Sequence, residues 1–251
     1  MTDSISMLSR TGFFQLVRFY FRSLLKLKGD KTMSNNTSVI IKFDFSAEQT
    51  VGQVTKAVGL VKARYLISVI DVLDLKANPR SSKTGPVTAA IEDSIENDPA
   101  LFPFKTKGIL LASSQYERLE RGRIKISPEN FDIEGILDGG HNTLAIGLHI
   151  LKKAMECAGL SLPKGDKNWD LFKELWHENR RLVDEYLEAV KNSPEADELD
   201  FYIPVELLIP RDTDDTACVE SFKNNLLEIC EARNNNAELN ISAKANQKGY
   251  F

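Results

Sequence analysis

Six consecutive residues hold most of the chemical potential of this chain: Asp138, Gly139, Gly140, His141, Asn142 and Thr143. They stand between a β-prone run at residues 131–137 and a run with apolar residues at helical spacing at 144–154. A polar, glycine-rich turn leading from a strand into a helix is where α/β folds place ligand chemistry. Glycine admits positive φ and close backbone approach. A helix N-terminus offers N–H groups and a positive dipole end to an anion. On this reading Gly139, Gly140, Asn142 and Thr143 bind phosphate. Asp138 coordinates a metal or orients His141, and both are candidate catalytic groups. An imidazole titrates near neutrality, which suits His141 to acid–base work or to holding a phosphate oxygen. The competing reading is an ordinary tight turn, with Asp138 accepting N–H bonds locally and Asn142 capping the helix. The third glycine of a dinucleotide fingerprint is missing, and no Gly-Lys-Ser/Thr follows as in a P-loop.

Other candidates lie far away in sequence. Arg80 sits in the Asn78-Pro79-Arg80 loop, and a planar guanidinium can grip phosphate bidentately. Its alternative is a solvated loop arginine. Lys107 supplies a second positive charge. Asn234, Asn235 and Asn236 either mark a helix C-terminus or offer amides for recognition of a base edge or backbone. Three histidines are too scattered for a zinc site, and His149 reads as structural. Cys157, Cys218 and Cys230 have no paired spacing and fit a reducing cytoplasm as small buried hydrophobes. With 251 residues and a formal net charge of −4, the chain has the composition of a globular protein. It has no global electrostatic drive toward nucleic acid.

The elements that must position these residues alternate. Strands are expected at 38–45, 66–73, 108–113, 117–127 (with a hairpin turn at Arg121-Gly122), 131–137 and 202–209. Helices are expected at 86–96, 144–154, 166–192 and 217–232. In the longest helix Asn168 is the expected cap. Its expected buried stripe is Leu171, Leu175, Leu182, Tyr186 and Val190, with Trp176 and Val183 beside it. The class is therefore α/β or α+β, a mixed sheet with flanking helices around one core. Residues 1–32 differ from the rest. Between Asp3 and Asp30 there is no acidic residue, while Phe14, Val17, Phe21 and Leu24 fall on one helical face and Arg18, Arg22 and Lys26 on another. Three readings compete for this basic amphipathic segment: an extension before a natural start at Met33, a membrane-surface or partner helix formed by residues 9–31, and a targeting segment. It has no apolar core long enough to span a bilayer.

The order of these signals from Ile70 to Phe251 resembles the abortive-infection phage-resistance (AIPR) family. That family has an N-x-R loop, matched by Asn78-Pro79-Arg80, and an aromatic segment, matched by Leu101-Phe102-Pro103-Phe104. Thr106-Lys107-Gly108-Ile109 stands at its N-N-G-I strand, Asp138-Gly139-Gly140-His141 at its turn, and Ala232-Arg233-Asn234-Asn235-Asn236 at its last motif. The turn is also similar to the D-G-Q-H-R motif of ParB-like and DNA-phosphorothioation-associated proteins, with Gly140 for Gln and Asn142 for Arg. The resemblance implies a core domain over 33–251, ParB/sulfiredoxin-like and C-terminally shortened relative to the family. It implies a cytoplasmic protein of antiviral defence with a nucleotide or nucleic-acid partner and a defence-system partner. The expected pocket binds phosphate, with magnesium as the metal if one is used, and cleaves a phosphodiester or a nucleoside triphosphate. The rival expectation is a non-catalytic module that recognises DNA or a phage component. Arg80 and His141 are expected at one anion site if strands 66–73 and 131–137 run parallel.

Overall fold

A computed structural model of the chain describes residues 38–78, 81–191 and 198–247, with side chains through Arg233. The basic segment 1–32, Arg80 and the side chains of Asn234 and Asn236 lie outside the described residues. Eight strands and six helices are formed among those described. The chain divides into two compact units, each assembled from separated stretches. One unit holds both sheets, and the other is helical.

The sheet unit contains residues 38–78, Thr106–Gly140 and 203–247. Its small sheet has the order β1-β6-β5 and is antiparallel throughout: β1 is Val39–Lys42, β5 Tyr116–Leu119 and β6 Arg123–Ile126. The β5–β6 hairpin turns at Arg121-Gly122, as the sequence predicts, with both residues at positive φ. The larger sheet has the order β2-β3-β8-β4-β7, where β2 is Phe45–Val51, β3 Val54–Lys62, β4 Ile109–Ala112, β7 Gly135–Asp138 and β8 Tyr202–Pro210. It is mixed: β4 runs parallel to β8 but antiparallel to β7. All four residues of β4 are buried, as a central strand covered on both faces requires. Helix α1, Ala63–Val72, follows β3 directly. The other helix of this unit, Thr216–Gln247, packs Phe222 and Leu226 on Leu110, Ala112, Leu137 and Leu208 of the larger sheet.

Several sequence expectations change here. Residues 66–73, read as a strand, form most of α1. Its buried residues, Ala63, Leu66, Ile67, Val69 and Ile70, follow helical and not alternating spacing. Burial on one face overrides the β preference of Ile and Val. With that strand gone, and β7 antiparallel to β4, the parallel-strand premise for joining Arg80 to His141 no longer holds. The expected strand at 131–137 is confined to Gly135–Asp138. The residues before it form a turn around Glu134, a fully buried carboxylate. It accepts hydrogen bonds from the Ser114 N–H (2.7 Å) and hydroxyl (2.8 Å), and from the N–H groups of Glu129 (3.3 Å) and Asn130 (3.4 Å). Such bonds are what make a buried charge tolerable. The expected strand at 38–45 breaks at Phe43-Asp44.

The helical unit contains Ser81–Lys105 and 141–191 with 198–202. Its helices are α2, Pro86–Asn97; α3, Phe102–Lys105; α4, Gly140–Cys157; and α5, Trp169–Lys191. The helix Thr216–Gln247 of the other unit is accordingly α6. Helix α4 is buried all round from Thr143 to Leu151, the mark of a helix at a core centre. Asn168 caps α5, its Oδ1 accepting the Leu171 N–H at 2.9 Å, as expected. Leu182, Tyr186 and Val190 are buried as expected, with Trp176 and Val183 beside them, and the stripe departs from expectation only at its start. Trp169, Phe172 and Trp176 lead it, while Leu171 points outward at 41% exposure. Phe172 lies against Gly147 of α4 and between the two tryptophans, at centroid distances of 5.3 and 5.7 Å. Aromatic packing occupies the first two turns of the stripe, which leucine counting does not show. No helix among the described residues is long and apolar enough to cross a membrane.

His149 lies in this core at 3% exposure, with neither ring nitrogen hydrogen-bonded among the described residues. Its ring meets Phe201 edge-on at 6.1 Å. Burial, then the Lys153 charge, holds its pKa down at about 4, with Glu198 and Glu96 opposing and Lys152 adding to the depression. The unfolded chain, titrating near 6.5, takes up a proton that the folded chain refuses. Stability is therefore full above pH 6.5, falls through the window from 6.5 to about 4, and levels below it. Between pH 7 and 5 the parent should lose about 2 kcal/mol that a His149→Phe variant keeps. Urea unfolding at the two pH values checks this, and equal losses in both proteins would refute it.

Candidate functional site

Asp138 is the last residue of β7 and is exposed. One carboxylate oxygen accepts the N–H of Gly139 at 2.7 Å. The other pairs with Arg233 of α6 at 3.3 Å. The same guanidinium reaches Glu206 of β8, also at 3.3 Å, and Glu206 accepts Lys56 of β3 at 2.8 Å. Sheet register explains the alignment. Glu206 and Asp138 both pair with Leu110, one on each side of β4. Glu206, Leu110 and Asp138 thus form a row across three strands, with Lys56 of β3 paired to Glu206 and Arg233 bridging the two carboxylates. Each pair is part-exposed and contributes at most about 1 kcal/mol. The row therefore fixes charges in place more than it stabilises the unit.

Gly139 has φ +84°, and a Cβ there would lie 2.4 Å from the Gly108 carbonyl oxygen and 2.9 Å from the Ile109 Cα. Gly108 in turn has φ +78° and sits against the Pro204 carbonyl, 2.1 Å from where its Cβ would be. The close approach expected between Gly139 and a ligand is taken up by the chain itself. The Gly108 N–H donates to the Thr106 hydroxyl at 3.1 Å, and the adjacent Lys107 is exposed. On the outer edge of β7, the Ile136 N–H donates to the Asp74 carbonyl at 3.4 Å. That loop continues to Ala77, packed on the α6 cluster, and to Asn78, whose N–H donates to the Leu75 carbonyl.

One corner of the sheet unit therefore gathers Thr106–Ile109, Asp138-Gly139, the strand holding Pro204 and Glu206, and Arg233. The approach to Asn78 lies beside it. Other candidates lie differently. His141, Asn142 and Thr143 belong to α4 in the helical unit. His141 and Asn142 are half-buried, and Thr143 is fully buried. Asn142 does not cap the helix, since α4 begins at Gly140. Asn234 and Asn236 do not end a helix either: α6 runs through them to Gln247.

Sequence reasoning missed Arg233 and Glu206, although both left a signal. Phe222, Leu226, Cys230 and Arg233 fall at i, i+4, i+8 and i+11, so the arginine continues the buried stripe of α6. Glu206 stands between Val205 and Leu207 in an otherwise apolar strand, where a charge needs a partner. The third group beside Arg233 is the Cys230 thiol, held above its ordinary pKa by burial, with Arg233 opposing and Asp138 reinforcing. Among the described residues no group of three or more His, Cys, Asp or Glu side chains could hold a metal ion. Compared with known families, curated proteins and solved structures, the chain matches no family model, no curated protein and no solved structure.

Proposed function

We propose that this chain is an abortive-infection-type defence protein with a ParB-like core that binds the phosphate of a nucleotide or nucleic acid at the Asp138–Arg233 corner. The observation that supports it is the gathering of Gly108, Gly139, Asp138 and Arg233 at one corner of the sheet unit, although they span residues 108 to 233. Each terminal nitrogen of Arg233 gives one N–H to a carboxylate, Glu206 or Asp138, and has a second N–H to give to a phosphate oxygen. That geometry suits a phosphate. Lys107 adds an exposed positive charge beside Gly108. Asp138 holds the guanidinium and the Gly139 N–H, which is an orienting role.

That role favours a second reading of the same corner, in which the protein recognises DNA or a nucleotide without turning it over and acts through a partner. The two readings separate on product formation. The purified chain is incubated with labelled DNA and with nucleoside triphosphates, with and without magnesium, and both binding and hydrolysis are followed. Salt-sensitive binding is expected, because phosphate contacts release counterions. Binding without products selects the recognition module, and products select the enzyme. No binding of either probe at about 100 µM, the weak end of non-specific DNA affinity, would overturn both.

A further inference from the structure

The two edges of the larger sheet are treated differently. The β7 edge is covered by the loop at Asp74. The β2 edge, Phe45–Val51, is a regular seven-residue strand with every residue exposed. It pairs with β3 without a bulge from Phe45↔Leu60 to Val51↔Val54. Natural sheets block such edges with lysine, proline, bulges or short strands, because the free N–H and C=O row is a template for another strand. None of these devices is present in β2. Phe45, Ala47, Gln49 and Val51 share one face, where Val58 of β3 joins them. Phe45 is 66% and Val51 71% exposed.

We propose that β2 is a self-pairing edge, at which a second copy of this chain adds its own β2 antiparallel to form one sheet continuous across a two-fold axis. The sequence of the strand is self-complementary in that arrangement. With the axis at Glu48, Phe45 faces the partner's Val51 at both ends, and Ala47 faces the partner's Gln49. All seven residues stay paired, and the apolar face of one copy continues into the other. An isologous contact requires this symmetry, and aromatic–β-branched pairs directly across strands are favourable. The one obstacle is Glu48 meeting its own copy, since like charges across strands repel. Glu48 is the only charged residue of β2, and it is already neutralised. Arg118 of β5 holds it with two hydrogen bonds, at 2.7 and 2.6 Å, on the opposite face from the apolar strip. The Arg118 guanidinium also keeps the Glu48 carboxyl below its ordinary pKa. Two copies thus bring together two carboxylates and two guanidiniums, a balanced set of four charges.

The test is the mass of the full chain in solution over a concentration series, by sedimentation equilibrium. The parent is expected to be a reversible dimer. Ala47→Lys/Val51→Lys changes only exposed positions, so it should fold with the parent's circular dichroism spectrum. It places four new positive charges along the seam, and its dimer should dissociate roughly tenfold more readily or more. Phe45→Cys/Val51→Cys gives a second measurement, because the proposed register brings each new thiol opposite its mate and predicts a covalent dimer under mild oxidation. A parent that stays monomeric throughout, a lysine variant that dimerises like the parent, or a cysteine pair that does not cross-link would each overturn the proposal.

Discussion

Gly139→Val is expected to lower the stability of the sheet unit by roughly 3 kcal/mol, before any ligand is considered. Two penalties add. A β-branched residue at φ +84° is strained by about 1–2 kcal/mol. A Cβ 2.4 Å from the Gly108 carbonyl forces β4 and the turn apart, an overpacking cost of about 1–3 kcal/mol. Gly159→Val separates the two, since Gly159 has φ +79° with no atom within 4 Å of its Cβ position. Thermal unfolding should show a drop on the order of 10 °C for Gly139→Val and a clearly smaller one for Gly159→Val. Equal drops would show that the contact with Gly108 does not matter. The outcome also bears on the site, because it determines whether the glycine serves the chain's own packing or leaves room for a ligand.

Arg233→Ala is expected to act on binding and hardly on folding. The guanidinium is 40% exposed and its ion pairs are long, so its contribution to stability is small. Its loss leaves Asp138 uncompensated toward any incoming phosphate, while Lys56 still neutralises Glu206. Affinity for labelled DNA should fall by about 2 kcal/mol, roughly 30-fold, and the salt dependence should become shallower. Lys125→Ala, on β6 of the small sheet and paired with Glu117, is the matched control and should leave affinity unchanged. Equal effects from the two variants would mean that binding follows net charge and not this corner.

How much of this was legible in the sequence depends on what fixed each element. Strands β4 and β8, helix α2 and the α5 cap were readable because local pattern and tertiary burial agree there. Helix α1 was not, because Leu66, Ile67, Val69 and Ile70 have strand-like composition and only their burial spacing reveals the helix. The 127–134 turn was hidden because it hangs on Glu134, whose partners come partly from Ser114, 20 positions earlier. At the site, the glycine turn was readable but the role of Gly139 was not, since Gly108 meets it only in the fold. In the sequence Arg233 stands only as the neighbour of Asn234, Asn235 and Asn236. Its importance comes from a helix carrying it over a sheet row built from three other segments. Such convergence leaves no trace in local spacing.

Hydrogen–deuterium exchange of the full chain with and without a saturating nucleoside triphosphate or short DNA duplex tests the phosphate-binding corner most directly. Protection is predicted in peptides covering Gly108–Leu110, Gly135–Gly139 and the α6 turn ending at Arg233, and it should disappear in Arg233→Ala. Protection confined to the helical unit, or the same protection in parent and Arg233→Ala, would contradict it.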